Sequence, residues 1–401
     1  MTGSIQARMS GPLAVYAEGF AAALAEQGYR PGTVTRHLRL MAYVSHWLRA
    51  EGMAASTLSS ATADAVLAHR KAAGYRARTS MRPLLEYLCA VGVTPPAGST
   101  TVDTPVDALL ARYAGYLARE RGLAKDTIRW NVEVARPFLL GRQRGAQVEL
   151  ETLTAGDVAA FVVGLSRRQP ASLRRSASAL RSLLRFLHLD GIVGAGLADA
   201  VPMAARPRLA GLPMALTSEQ VAALLACCDQ ATVVGRRDLA ILTVLSRLGL
   251  RAGEVARLRL DDVDWRRAEI TVVGKGSRHE RLPLPADIGA VVVSYLTAGR
   301  PDTTAREVFV RARAPFRAMS PGAVTRLVAR VASKAGLGTV YAHRLRHSAA
   351  TAMLSNGASL AEIGQVLRHL DPQTTAAYAK VDVEALRTVA RPWPAPHQDA
   401  A

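Results

Sequence analysis

Two proline- and glycine-rich breaks cut this 401-residue chain into three blocks, and any fold it adopts must respect them. The first is Thr94-Pro-Pro-Ala-Gly-Ser-Thr-Thr101. The second is Val201–Pro213, with Pro202, Pro207 and Pro213 interleaved with Arg206 and Arg208. A chain this long exceeds what one hydrophobic core organises. The breaks therefore predict helical domains at 1–100 and 101–200, a linker at 201–213 and a third domain at 214–401.

The first two blocks read as helices. Tyr16–Glu26, Thr33–Arg49, Leu109–Glu120 and Ser172–Leu189 carry apolar residues at helical spacing with few β-branched runs. The blocks also echo each other. Gly28 before Thr33-Val34 is matched by Gly122 before Thr127-Ile128. Leu84-Leu85-Glu-Tyr87-Leu88 before Gly92 is matched by Leu183-Leu184-Arg-Phe186-Leu187 before Gly191. A tandem duplication explains this, the alternative being two unrelated bundles that share Leu and Gly positions by chance.

From Thr217 the pattern changes. Thr217-Ser-Glu-Gln220 is a capping box, followed by Val221, Leu224, Leu225 and Cys228 on one helical face. Glu269–Val273 and Arg281–Leu284 flank Gly274-Lys-Gly-Ser277, the signature of a β-hairpin. Helices resume near Pro321. The third block is thus mainly α with a small sheet.

A formal charge of +19, spread along the chain, points to a polyanionic partner, nucleic acid before an anionic membrane. No apolar run reaches the length of a spanning helix, no cleavable signal pattern opens the chain, and a membrane role is not expected. Cys89, Cys227 and Cys228 offer neither a disulfide framework nor metal-ligand spacing, so a reducing cytoplasm is the simple expectation. Arg174, Arg181 and Arg185 share one helical face, with Arg167, Arg168 and Arg175 nearby. A helix lying on duplex DNA and gripping phosphates would use them so; a solvated face is the alternative. Arg76, Arg78 and Arg82 hold the comparable place in the first block.

Five short segments of the third block carry chemistry when read together. They are Leu248-Gly-Leu-Arg251-Ala-Gly-Glu254, Val273-Gly-Lys275-Gly, Ala342-His343-Arg-Leu-Arg346-His347, Leu367-Arg-His369 and Thr374-Thr-Ala-Ala-Tyr378. A phosphodiester gains a second negative charge in its pentavalent transition state, so fixed cations are its natural catalysts. Arg251 and Arg346 suit a clamp, because a guanidinium can hold two oxygens and stays charged. His369 can donate to a non-bridging oxygen. His343 lies one turn from Arg346 and can accept a proton from Tyr378. A general acid must give up a proton to the leaving oxygen, which Lys275, on a Gly-flanked turn, can do and arginine cannot. Asp371-Pro372 caps a short helix that would place Tyr378 about two turns in. His343 and His347 have zinc-pair spacing, but the arginines between them and the lack of a nearby carboxylate or Cys argue against metal. No metal, nucleotide or other cofactor is expected.

In order and spacing these residues resemble the tyrosine recombinase (phage integrase) family, whose catalytic set is Arg, Lys, His-x-x-Arg, His or Trp, and Tyr. Arg251, Lys275, His343, Arg346, His369 and Tyr378 fall on those positions. The resemblance covers roughly 214–390 for the catalytic domain and, more faintly, 105–200 for the helical core-binding domain. One position departs: Arg368 stands where the family usually has glycine before the His. The resemblance implies two SAM-like helical domains followed by an α+β catalytic domain with a small antiparallel sheet. It further implies site-specific DNA recombination or integration, as in a mobile element, through a 3′-phosphotyrosine and a Holliday junction. The implied partners are double-stranded recombination sites and a homotetramer on DNA, with or without sibling recombinases. Val381–Val389 would be a C-terminal helix docking on a neighbouring protomer, and the linker would let the halves grip opposite faces of the duplex. The alternatives are a type IB topoisomerase-like strand transferase and a DNA-binding homologue that has lost strand transfer.

Overall fold

The structure, a computed structural model, describes residues 9–73, 79–94, 104–145, 147–168, 172–194, 196–202, 215–274, 278–369, 371–376 and 378, with backbone alone at 60, 61, 168, 372 and 373. The chain separates into two compact units. One is Gly92–Arg208; the other joins Met1–Val91 with Leu209–Ala401.

Among its described residues the first block holds four α-helices, α1 (Ala17–Glu26), α2 (Pro31–Ala50), α3 (Ser60–Ala72) and α4 (Arg82–Ala90). Helix α2 starts at Pro31, whose fixed φ and missing N–H suit a first helical turn. Its Val34, Leu38, Met41, Val44 and Leu48 recur at steps of three and four and are all buried. Within its unit this block meets the third block through Arg317, which donates to Glu86 at 2.7 Å.

The second block repeats the four-helix order with α5 (Pro105–Arg119), α6 (Lys125–Leu140), α7 (Ala155–Arg168) and α8 (Leu173–Leu189); a two-residue hairpin, β1 (Gln143–Arg144) with β2 (Gln147–Val148), follows α6. Its core gathers Leu110, Tyr113, Leu117, Phe138 and Leu139 with Leu180, Leu183, Leu184 and Leu187 of α8. Gly28 and Gly122 turn with positive φ after α1 and α5, and Gly92 and Gly191 do so after α4 and α8.

The third block contains α9 (Ser218–Ala226), α10 (Val233–Arg247), α11 (Ala252–Arg257), β3 (Val263–Asp264), β4 (Glu269–Val273), β5 (His279–Pro283), α12 (Ala286–Ala298), α13 (Pro321–Lys334), α14 (Ala342–Ser355), α15 (Leu360–Leu367) and α16 (Pro372–Ala376). The capping box at Thr217 forms as its spacing predicts. Helix α10 is buried along most of its length, with Ala240, Ile241, Leu242, Val244 and Leu245 inaccessible, because α12 and α14 pack on it. The three strands form one antiparallel sheet in the order β3-β4-β5, with Val272 opposite Glu280 and Val273 opposite His279.

Mainly helical architecture with a small antiparallel sheet is therefore the fold. Three expectations fall on residues outside the description: Lys275 at the hairpin turn, the C-terminal helix 381–389, and most of the linker. Helix α16 is described over Pro372–Ala376; residue 377 lies outside the description, and Tyr378 is described beyond it. Among the described residues no helix is long and apolar enough to cross a membrane.

Candidate active site

Arg346 organises the site. It projects from α14 into the interior and is only 2% exposed. Its Nη1 donates to the Gly249 carbonyl at 2.6 Å and its Nη2 to the Leu367 carbonyl. One side chain thus joins the approach to α11 and the end of α15 to α14. Gly249 makes this possible: its φ is +61°, and a Cβ there would stand 2.5 Å from Leu367 Cδ2. Burial, and then the charge of Arg251, push the Arg346 pKa down to about 10, which leaves it cationic at neutral pH.

Arg251 sits at the N-cap of α11 with its side chain 41% exposed. Glu254, almost fully buried, holds it twice: Oε2 accepts the Arg251 backbone N–H and Oε1 accepts Nη1, both at 2.8 Å. The guanidinium is thus fixed at one end while still reaching solvent, as a phosphate ligand must be.

Tyr378 is 2% exposed and packs with Ala350, Ile363 and Leu367. Its hydroxyl lies 2.8 Å from Nδ1 of His347. The expected partner was His343, but the ring of His343 stands behind His347, with centroids 4.3 Å apart and planes near perpendicular. The reason is helical geometry: His347 is one turn further along α14, on the side that faces residue 378. Burial pushes His347 down to about 4, with His343 and Arg346 adding to it. The imidazole is therefore neutral at pH 7, and Nδ1 can accept the phenolic hydrogen when the ring carries its own on Nε2. Burial raises the Tyr378 pKa against the opposing charge of Arg346, so the phenol rests protonated.

His369 lies with its ring nearly parallel to that of Tyr378, centroids 6.4 Å apart. Its Nδ1 is 2.6 Å from the hydroxyl of buried Thr375. If Thr375 donates, His369 must carry its hydrogen on Nε2, the tautomer that can donate to a phosphate oxygen. Burial first, then Arg346 and Arg251, bring its pKa to about 4. His343 keeps solvent on one side, and the protein around it together with Arg346 and Arg251 lowers its pKa too.

These depressed histidines give the protein an acid-sensitive stability. A histidine whose folded pKa lies below the unfolded 6.5 contributes stability above 6.5, which is lost as pH falls from 6.5 towards 4. Denaturant midpoints measured from pH 7 to pH 5 should therefore fall, and fall less in a His347→Asn/His369→Asn double variant. Parallel slopes for the two proteins would contradict the depressed values.

Of the six residues singled out from the sequence, Arg251, His343, His369 and Tyr378 gather around Arg346, while Lys275 lies outside the described residues. Sequence reasoning gave no role to His347, Glu254 or Thr375. Glu254 was detectable, since a carboxylate three residues past Arg251 has capping-box spacing. His347 carried only the zinc-pair reading, and nothing local marks Thr375. Among the described residues no group of three or more His, Cys, Asp or Glu converges as a metal site would need.

The arginines chosen for DNA contact divide. Arg167, Arg174 and Arg185 are exposed. Arg175 is also exposed but stacks its guanidinium 4.2 Å from the Trp130 ring, and the half-buried Arg181 donates to the Val201 carbonyl at 3.4 Å. Only the backbone of Arg168 is described. In the first block Arg82 pairs with Glu86 at 2.6 Å, and Arg76 and Arg78 lie outside the description.

Comparison with known proteins decides the family. The phage integrase family matches residues 214–385, and its N-terminal SAM-like domain matches residues 110–191. The integrase/recombinase homologue y4rA of Sinorhizobium fredii is 38% identical over 392 residues, covering 96% of this chain and 95% of the relative. The chain belongs to the phage integrase family of tyrosine recombinases. Tyrosine recombinase XerD of Mycobacterium tuberculosis is 30% identical over 310 residues, covering 73% of this chain and 97% of its own length. A lambda integrase dimer bound to a COC′ core site matches with a TM-score of 0.52 at 17% identity, covering 73% of this chain and 98% of that one. XerH bound to palindromic difH matches at 0.52 and 16%, covering 74% and 98%. This tyrosine recombinase is a site-specific DNA strand-transferring enzyme.

Proposed function

We propose that the enzyme cleaves DNA by attack of Tyr378 on a phosphodiester, releasing a 5′-hydroxyl and storing the bond as a 3′-phosphotyrosine. The observation that carries this is the 2.8 Å contact of His347 Nδ1 with the Tyr378 hydroxyl, with the charge of Arg346 and the stacked ring of His369 beside the same tyrosine. Arg251 and Arg346 would neutralise the pentavalent phosphorane, and His369 would add a hydrogen bond through Nε2. His347, already within hydrogen-bond distance, would draw the phenolic proton as the hydroxyl is uncovered, with His343 behind it to share the charge. Lys275 would protonate the leaving 5′-oxygen from the hairpin turn. The reverse attack by a 5′-hydroxyl from a second duplex would complete exchange without an external energy source.

A nicked suicide substrate tests the reading. Release of a short fragment below the nick should trap a protein–DNA adduct that survives denaturant and yields a tyrosine-linked 3′ end. Tight binding with no adduct under any condition would refute it and favour a homologue that has lost strand transfer.

Assembly follows the same proposal: two protomers on each site and four in the synapse, in the cytoplasm on the nucleoid. A lambda integrase with this fold (TM-score 0.52) is known as a tetramer bound to a Holliday junction. The first block would be a duplicate of the core-binding domain. Its support is the shared four-helix order and the left-handed glycines at matching corners.

Helix α8 would lie on the backbone through Arg174 and Arg185, which project from one face opposite the buried leucines. Removing one phosphate-binding arginine should reduce the salt slope of binding by about 0.9. The Arg174→Ala/Arg185→Ala protein should thus show a slope shallower by roughly 1.8, equally on specific and random duplexes. Fluorescence anisotropy across a salt series reads this directly, and an unchanged slope would leave both residues as solvated surface.

A further inference from the structure

Arg368 occupies the C-cap of α15 in the left-handed region, with φ 58° and ψ 49°. Glycine adopts this conformation freely, whereas a residue with a Cβ is strained by it. The side chain is nevertheless folded inward, 4% exposed, and committed to acidic partners from two other elements. Nη2 donates to Glu254 Oε2 at 2.7 Å, and Nε stands 3.5 Å from Glu280 Oε2 on β5. A surface cation tolerated at a poor position would point into solvent. This one crosses the interior to the carboxylate that fixes Arg251.

Glu254 is the shared partner. Its Oε2 accepts both the Arg251 backbone N–H and Arg368 Nη2, and its Oε1 accepts Arg251 Nη1. With Arg251 as sole partner, a buried carboxylate would balance most of the charge that Arg251 must present to phosphate. A second guanidinium on Oε2 divides that negative charge, so Arg251 stays oriented by Glu254 without being neutralised by it. Glu280 lies opposite Val272 in the β4–β5 hairpin, whose connecting sequence includes Lys275, and the Arg368 backbone leads directly into His369.

We propose that Arg368 is a positioning residue for strand cleavage. Through Glu254 it sets the orientation and free charge of Arg251, and through Glu280 it ties the hairpin to the segment bearing His369. This rests on Arg251 being a phosphate ligand in the cleavage step, which adduct formation by the wild type tests separately.

The experiment is single-turnover cleavage of a nicked suicide substrate across a range of protein concentrations. It compares wild type, Arg368→Gly, Arg368→Lys, Glu254→Gln and the Arg368→Gly/Glu254→Gln double variant. Glycine relieves the backbone strain, so a residue serving only to cap the helix would leave cleavage unchanged or faster. The positioning role predicts at least a tenfold slower maximal rate, with half-saturation moved less than twofold. Lysine, keeping the charge but not the two-sided reach, should recover part of the loss. It also carries the prediction alone if the glycine variant does not fold, with a loss of threefold or more. Removing the Glu254 charge should recover rate in the Arg368→Gly background while slowing the wild type, a non-additivity that a purely structural residue would not produce. Wild-type rates in Arg368→Gly, a loss seen only in half-saturation, or simple additivity in the double variant would each overturn the proposal. Absence of adduct from the wild type would instead remove the reading on which it stands.

Discussion

Tyr378→Phe should bind a recombination site as tightly as the wild type and form no covalent adduct with it. The phenyl ring keeps the apolar seat formed by Ala350, Ile363 and Leu367, so the packing survives. What disappears is the hydroxyl, together with its 2.8 Å hydrogen bond to His347. The net cost of one such hydrogen bond is about 1 kcal/mol, small beside the stability of a folded domain. Loss of the nucleophile, by contrast, removes the only route to a covalent intermediate through this residue, and adduct should fall to the detection limit. Measuring retention on site DNA alongside denaturant-resistant adduct separates the two effects. An adduct in Tyr378→Phe would move the nucleophile elsewhere. Burial of Tyr378 adds a kinetic expectation: the hydroxyl must be uncovered before it meets phosphorus, so cleavage should lag behind binding in a stopped-flow trace.

Much of this site is legible in the sequence because its parts are local. Arg251 with Glu254 and His343 with Arg346 are each spaced by one helical turn, and periodicity places them without tertiary knowledge. The capping box at Thr217 and strand β4 at Glu269–Val273 are readable for the same reason. What escapes is set by distance along the chain. His347 acquires its meaning from a hydroxyl 31 residues away, and Arg368 from a carboxylate 114 residues away. Sequence marks Arg368 only as a departure from glycine. It cannot say that the side chain turns inward, because that depends on where α11 and β5 stand in the fold.

Arg346 carries the other large effect, because its two tasks cannot be separated by any single substitution. Its guanidinium satisfies the carbonyls of Gly249 and Leu367, both buried with it, and supplies a cation beside Tyr378. Truncation in Arg346→Ala leaves two interior acceptors unpaired and opens a void, and should cost about 3–5 kcal/mol of stability. Loss of adduct in that variant would then report partial unfolding as much as chemistry. Arg346→Lys is the more discriminating change. An ammonium keeps the charge and can satisfy one carbonyl, but it lacks the fork that spans both. The lysine protein should fold with a loss of about 1–3 kcal/mol, the cost of one buried group left unsatisfied. Its cleavage should slow by about 10²–10³, as for removal of one preorganised donor from a transition-state site. Chemical denaturation and single-turnover cleavage under conditions where the variant is fully folded measure these separately. Cleavage at the wild-type rate would show that charge alone suffices. The joining of α11, α14 and α15 through one planar group would then be architecture without consequence for the reaction. A large rate loss in a folded protein would instead mean that the catalytic segments are held in register by the same side chain that stabilises the phosphorane, which is why no other residue type serves there.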